Sequence, residues 1–155
     1  MTGAGLVKRL AAEIRAGLLG VKLPREYHGA IDNLRTVNVF EQYLPEDLFE
    51  VTDYYPLVLV ELLKVVDGKD GSETEVGLSF GVFAKEADGW LDLFHLVNVT
   101  RRLILTKRLI ASRYRLVDAE WESVATTEQP RPFLFANATL TYTFRQAEEL
   151  CSKTT

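Results

Sequence analysis

The pattern of hydrophobic positions in the middle of the chain predicts two strands followed by a long helix. Residues 55–66 are dominated by aliphatic and β-branched side chains, and they end at a Gly- and Asp-rich turn over 67–71. In residues 75–84, bulky apolar side chains alternate with glycine and serine. One face of this second strand is bulky and the other nearly flat. The pattern therefore predicts a sheet that a helix covers on one face and that is approached closely on the other.

The helix is predicted from Leu91 to about Ala111. Its apolar positions form one broad stripe at helical spacing, made of Leu93, Leu96, Val97, Thr100, Leu103, Ile104 and Ala111. Since this stripe has to be buried, we expect Leu93, Val97 and Ile104 to pack on the bulky face of the central strands, opposite Leu78 and Phe80.

Before the central strands, the chain contains one further helical pattern and one short extended segment. Between Gly5 and Gly20 the apolar side chains recur in steps of four, and Gly20 is a typical end for a helix. Residues 21–32 have no sustained period, which indicates a connection. Residues 35–40 are predicted to be extended, and the acidic stretch 46–55 is predicted to be a loop.

After the long helix, two more strands are predicted. The first covers residues 113–122, with one side carrying Tyr114 and Leu116 and the other carrying Val117, Ala119 and Trp121. The proline-containing stretch 126–132 is a predicted loop. Residues 133–144 have the clearest alternation in the chain, with leucines, alanines and aromatic residues on one face and Asn137 and threonines on the other, which predicts a half-exposed antiparallel strand.

The order of these main elements is helix, strand, strand, helix, strand, strand. It predicts an α+β fold with a mainly antiparallel four-stranded sheet and helices packed on one face. We divide the chain into an N-terminal helix and connection over residues 1–34, a single α+β domain over residues 35–145, and a polar tail over residues 146–155. The sequence contains no internal repeat and no sign of a second domain.

Composition and charge limit the classes of function. A chain of 155 residues can form a core without disulfides or metals, and its net charge of -4 gives no reason to expect a nucleic-acid or membrane surface across the whole molecule. Cys151 is the only cysteine, so no disulfide within the chain is possible and a reducing compartment is expected. We also expect neither a secretory signal nor a membrane-spanning segment.

The residues that could support catalysis or metal binding do not form recognisable sites. His28 and His95 lack partner ligands at metal-binding spacing, so a structural or solvated role is favoured over a metal site. No nucleophile motif is present. The cluster of acidic residues between 46 and 53 lacks the ligand spacing of a calcium loop, and a solvated loop is favoured. We therefore expect no catalytic residue, no metal and no cofactor.

A second strip on the long helix is more unusual. Basic residues cluster between 101 and 108, beside apolar residues that lie outside the main stripe. Three interpretations remain: a solvated basic flank, a subunit interface in which arginine and aromatic residues are enriched, and a phosphate-contacting strip, which the net acidity of the chain disfavours. The candidate interface residues are Phe94, Arg101, Leu105, Arg108 and Leu109.

The order of the segments resembles a known family. The resemblance covers roughly residues 35–145 and is carried by short sequences at 45–47, 53–60, 68–76, 81–83, 88–93 and 130–141, which begin with Pro-Glu-Asp and end with Pro-Arg-Pro-Phe-Leu-Phe-Ala-Asn-Ala-Thr-Leu-Thr. In these segments the chain is similar to minor tail proteins encoded in phages and prophages of bacteria. Among them, its architecture resembles that of tail terminator proteins.

This resemblance implies a non-enzymatic structural subunit. Such a subunit assembles as a ring, expected to be a hexamer, which caps or joins the tail tube; it would be made in the host cytoplasm and end in the virion tail. Neighbouring copies are expected to meet through sheet edges and the second helix strip. The turn after the first strand would contact the tube or neck proteins through Asp67, Lys69, Asp70 and Glu73. A small ferredoxin-like ligand-binding domain or enzyme is the alternative.

Overall fold

The computed structural model describes residues 3–24, 34–44, 54–69, 71–83, 89–122 and 133–144. It contains two helices and eight strands in these ranges. In chain order they are α1 (Gly3–Gly17), β1 (Lys22–Pro24), β2 (Leu34–Thr36), β3 (Asn38–Glu41), β4 (Leu57–Gly68), β5 (Gly71–Phe83), α2 (Trp90–Thr106), β6 (Leu109–Ile110), β7 (Tyr114–Glu122) and β8 (Phe133–Phe144). The predicted α+β class is confirmed.

The main sheet has six strands in the order β3-β4-β5-β8-β7-β6, and it curls into a half-barrel. Strands β3 and β4 are parallel and all other neighbours are antiparallel. The prediction of a four-stranded sheet is therefore wrong, because the short strands β3 and β6 add one strand at each end. Strands β1 and β2 form a separate antiparallel pair. The segment 35–40 was predicted to be extended and overlaps β2 and β3, but it was not counted in the predicted sheet. Strands as short as β1 and β6 carry too few residues for a periodic pattern to be recognised in the sequence.

The predicted end of the long helix is also wrong. Helix α2 ends at Thr106, and Leu109 and Ile110 pair with β7 as strand β6. The connection between β6 and β7 is a tight turn in which Ala111 and Ser112 both have positive φ, at 54° and 57°. Hairpin turns with this geometry usually carry asparagine or glycine, so these two residues gave no turn signal in the sequence.

Both helices pack on the same face of the sheet and share one core. Leu93, Leu96, Thr100 and Ile104 of α2 are buried, and the Thr100 hydroxyl donates a hydrogen bond to the Leu96 carbonyl at 2.9 Å. The predicted packing of Leu93 and Ile104 with Leu78 and Phe80 is confirmed, with Val97 half-buried against the same core. Helix α1 adds Leu6, Val7, Leu10, Ala11, Ile14 and Leu18 to it. Gly3 is buried in the first turn of this helix.

Strand β7 contains a β-bulge at Val117 that reverses the predicted facing of its second half. Leu116 is opposite Tyr142, whereas Asp118 is opposite Thr141 and Ala119 is opposite Leu140. Because the bulge inserts one residue, Ala119 and Trp121 return to the core face with Leu116, and Val117 is left exposed. The prediction that Ala119 and Trp121 lie opposite Tyr114 and Leu116 is wrong for this reason.

The other face of the sheet is covered closely at one end, as the small side chains of β5 predicted. Tyr55, Leu57 and Phe83 form a second apolar cluster there, with the ring of Tyr55 centred 5.1 Å from that of Phe133. A Cβ atom on Gly81 would lie 3.0 Å from Tyr55 Cε1 and 3.2 Å from Phe135 Cε1. A larger residue at position 81 would therefore push on this aromatic cluster.

Replacing Tyr142 by phenylalanine is expected to stabilise the protein. The Tyr142 hydroxyl is buried in the core and has no hydrogen-bond partner among the described residues. Removing a buried, unsatisfied hydroxyl recovers its desolvation penalty, about 1 to 3 kcal/mol of unfolding free energy. Chemical denaturation measures this gain, and the same change at the exposed Tyr43 is the control. A loss of stability in Tyr142→Phe would mean that the hydroxyl is hydrogen-bonded.

The same tyrosine should contribute to the loss of stability in alkali. Burial raises the pKa of Tyr142 above its ordinary value of 10.0. The unfolded chain therefore loses this proton near pH 10, while the folded protein retains it. The part of the unfolding free energy that depends on this difference in proton binding is fully present below pH 10. It is lost as the pH rises toward the pKa of Tyr142 in the folded protein. We expect the alkaline fall in unfolding free energy to be shallower in Tyr142→Phe than in the parent.

Candidate interaction surfaces

The five predicted interface residues do not form one helical strip. Phe94 and Arg101 are exposed on α2, whereas Arg108 and Leu109 lie beyond its end, in the connection to β6 and in β6 itself. Leu105 is half-buried and packs against the core. The predicted surface is therefore divided between the outer side of α2 and one end of the sheet.

Phe94 and Arg101 line a groove between α2 and strands β7 and β8. The groove has a volume of about 180 Å³, and its other lining residues are Leu93, Val97, Asn98, Trp121, Glu122 and Ala136. The ring of Phe94 meets that of Trp90 edge to face, with centroids 5.8 Å apart. The apolar floor and charged rim suit a side chain from a partner better than a drug-sized ligand, for which pockets of about 300 Å³ or more are typical.

The basic residues around the end of α2 differ in their partners. Lys107 Nζ lies 2.6 Å from Glu13 Oε2, which ties the end of α2 to α1. Arg101, Arg102 and Arg108 are exposed, and none of them has an ion-pair partner among the described residues. Exposed arginines can form charge-assisted hydrogen bonds with carboxylates of another chain.

The predicted tube-contact residues lie at the end of the β4–β5 hairpin. Asp67, Lys69 and Glu73 are exposed there, and Asp70 lies outside the described residues. The Ser72 hydroxyl donates a hydrogen bond to Asp67 Oδ1 across the hairpin. Gly71 has φ 136°, a conformation that L-residues rarely adopt. The described residues of the hairpin end are therefore linked across the hairpin by the Ser72–Asp67 hydrogen bond.

Exposed apolar residues near this hairpin end were missed at the sequence level. Leu63, Val65 and Val66 are 51%, 41% and 49% exposed. Leu63 occupies a β-bulge, since Leu62 is opposite Val76 and Lys64 is opposite Glu75. The sequence does contain a signal, because adjacent apolar residues such as Val65 and Val66 in one strand cannot both face the same core.

The ends of the sheet are defined by specific backbone contacts. Gln42 has φ 66° and ends β3, its backbone N–H donating to the Val60 carbonyl at 2.7 Å. Its side-chain oxygen accepts a hydrogen bond from the Leu62 backbone N–H at 2.9 Å. Beyond Leu62, the described part of the chain places no strand beside the outer edge of β4. At the other end, β6 pairs with Tyr114 and Arg115 of β7, and the Arg108 carbonyl accepts a hydrogen bond from the Leu116 backbone N–H at 2.7 Å.

Within the ranges that the structure describes, no group of three or more His, Cys, Asp or Glu side chains could hold a metal ion. His95 is exposed on α2, while His28, Cys151 and the acidic residues between 46 and 53 lie outside those ranges. No helix in the same ranges is long and apolar enough to cross a membrane. Burial raises the pKa of Tyr55, Tyr114 and Tyr142, and none of these three tyrosines lines the α2 groove.

No protein-family model and no curated protein sequence matches this chain. The similarity to phage tail proteins rests on the sequence segments alone and stays a prediction.

Proposed function

We propose that this protein is a non-enzymatic structural subunit of a phage or prophage tail, forming a ring that caps or joins the tail tube. The ring is expected to be a hexamer of the tail terminator type, assembled in the host cytoplasm and retained in the virion tail. In this proposal the working parts are surfaces, and neither a cofactor nor a catalytic residue is required.

The observation that carries the proposal is the exposure of apolar side chains at both ends of one sheet. Val65 and Val66 are exposed at the β4 end, and Leu109 and Val117 at the β7 and β6 end. Open strands with apolar side chains pair readily with other chains. A subunit with such a surface at each end can bind one neighbour on each side, as a cyclic ring requires.

The hairpin end is the proposed contact with the tail tube or neck proteins. Asp67, Lys69 and Glu73 are exposed, and Asp70 belongs to the same turn in sequence. Their mixed charge suits a polar contact with another protein, and a hairpin end leaves the sheet ends free for neighbouring subunits. The exposed apolar residues of β4 precede the turn, which supports separate surfaces for the neighbouring subunit and for the tube.

One observation favours the alternative of a small ferredoxin-like ligand-binding domain or enzyme. The α2 groove combines the aromatic ring of Trp121 with the charged groups of Arg101 and Glu122. A domain of that kind would be a monomer that binds in this groove a molecule smaller than a drug-sized ligand, since the groove volume is about 180 Å³. The mass in solution, measured across a range of concentrations, separates the two functions.

The double variant with Arg108→Glu and Leu109→Asp is expected to assemble less well than the parent. Both side chains are exposed, so the fold should tolerate the change, whereas aspartate at the half-buried Leu105 would disturb the core. Loss of an apolar contact and reversal of a charge in the interface should weaken association by about 1 to 3 kcal/mol, which is roughly 30-fold in the middle of that range. Sedimentation at several protein concentrations measures the change.

The control for this experiment is Leu19→Asp, because Leu19 is 64% exposed in the turn after α1 and belongs to neither sheet end. Circular dichroism establishes that all the variants are folded. Unchanged association of the double variant would exclude Arg108 and Leu109 from the interface. A parent that stays monomeric at all concentrations, with and without purified tail-tube protein, would contradict the ring itself.

A further inference from the structure

The two ends of the sheet have complementary steps. At one end, β3 lies beside Leu57 to Val60, and the described residues place no strand beside the rest of β4. At the other end, β6 lies beside Tyr114 and Arg115, and the described residues place no strand beside β7 from Asp118 to Glu122. In the described part of the chain, each end therefore has a short outer strand and an adjacent recess that no strand occupies.

The strand registers show that the two recesses lie toward opposite ends of the strands, measured along the strand direction. Val66 is opposite Glu73, Glu73 opposite Thr143, Thr143 opposite Arg115, and Arg115 opposite Leu109. A single cross-strand row thus runs from the recess beside β4 to the outer strand β6. A second row of paired residues runs from the outer strand β3 to the recess beside β7, through Phe40, Leu59, Ser79, Asn137 and Glu122.

We infer that a second copy of this chain binds head to tail at these steps. Strand β6 of one copy fills the recess beside β4 of the next, and β3 of that next copy fills the recess beside β7 of the first. Four successive antiparallel pairings separate β4 from β6, so these strands run in the same direction and the new contact is parallel. The contact between β3 and β7 is antiparallel.

Side-chain chemistry supports a second copy as the occupant. Leu109 and Val66 are 45% and 49% exposed, and since they end the same row they point to the same face of the sheet. Joining two copies brings these side chains together and covers both. One chain supplies both complementary halves of the contact, whereas an unrelated partner would have to match each end separately.

This contact is heterologous, because it joins two different surfaces of the same chain. Every added copy offers a new free end, so the assembly grows until rotation between copies closes it into a ring. The inference rests on the proposed function and deepens it by naming the contact between neighbouring subunits. The tube contact at the hairpin turn is a separate surface.

The test is a disulfide between positions 66 and 109 in the full chain. With Cys151→Ser as background, one variant carries Val66→Cys and a second carries Leu109→Cys. Neighbouring strands lie about 4.8 Å apart, within the Cα separation of about 4.4 to 6.8 Å that a disulfide spans. Under oxidation, the mixture of the two variants should show a doubling of the 17.5 kDa chain mass, and each variant alone should not.

A chain that carries both cysteines should form a ladder of covalent oligomers that ends at the ring size. The control pair combines Leu109→Cys with Leu19→Cys, and it should give no ladder. If Val66→Cys or Leu109→Cys links to itself as efficiently as in the mixture, the contact is two-fold and the inference is wrong. If the parent forms oligomers but positions 66 and 109 do not link, the inference fails while the ring proposal stands. If the parent is monomeric, both fail.

Discussion

Replacing Phe80 by alanine should lower the free energy of unfolding by about 3 to 5 kcal/mol. Phe80 is fully buried on β5, opposite Val58 and Ala136 on the two neighbouring strands. Its ring centroid lies 6.4 Å from that of Trp121. Removing the ring leaves a cavity in the middle of the sheet, where paired strands on both sides limit collapse of the backbone into the space.

Chemical denaturation followed by tryptophan fluorescence measures this effect. The matched control is Phe94→Ala on the outer side of α2, where Phe94 is 38% exposed and the expected loss is below about 1 kcal/mol. Equal losses in the two variants would contradict the core assignment, because they would mean that the face of the sheet carrying Phe80 is not covered by the helices.

Replacing Leu10 by alanine is expected to destabilise the whole domain by about 2 to 5 kcal/mol. Leu10 is 1% exposed on α1, and its side chain belongs to the same core as the inner faces of the sheet and α2. Helix α1 is also tied to the rest of the fold by hydrogen bonding from Arg15 Nη2 to the Val39 carbonyl at 3.0 Å and by the Lys107–Glu13 pair. We therefore expect α1 and the sheet to unfold in one transition.

Tryptophan fluorescence tests this expectation directly. Both tryptophans, Trp90 and Trp121, lie outside α1, so their signals report on α2 and the sheet. The unfolding midpoint that they report should shift in Leu10→Ala, and the exposed Leu19→Ala should leave it unchanged. A normal tryptophan transition, together with an early loss of helical circular dichroism, would show that α1 unfolds independently of the sheet.

The long, regular elements could be predicted because their burial pattern matches their local period. Strand β8 runs from Phe133 to Phe144 as predicted, since two neighbouring strands pair with it and its inner face is buried along most of its length. The apolar stripe of α2 was predicted for the same reason. The buried contacts recur at every second residue in strand β8 and at every third to fourth residue in helix α2.

The stepped sheet ends could not be predicted in this way. Strand β6 was assigned to the end of α2 because Leu109 continues an apolar helical pattern, yet its pairing with Arg115 holds it in a strand. The bulge at Val117 cancels the alternation on which the facing of β7 was predicted. The bulge depends on pairing with β8, which is distant in sequence, so a local window around β7 contains no information about it. Strand β6 pairs with the nearby β7, but through a turn at Ala111 and Ser112 whose residue types gave no turn signal.

For the proposed interface, the sequence identified residue types and the tertiary structure decided their neighbours. The sequence alone determined that Arg101, Arg108, Phe94 and Leu109 exceed what one buried helix stripe needs. Only the fold separated Leu109 from α2 and aligned it with Val66 in one row across the sheet. The physical reason is that hydrophobic periodicity reflects burial along one element, whereas an edge is defined by the absence of a neighbouring strand, which exists only after the strands have paired.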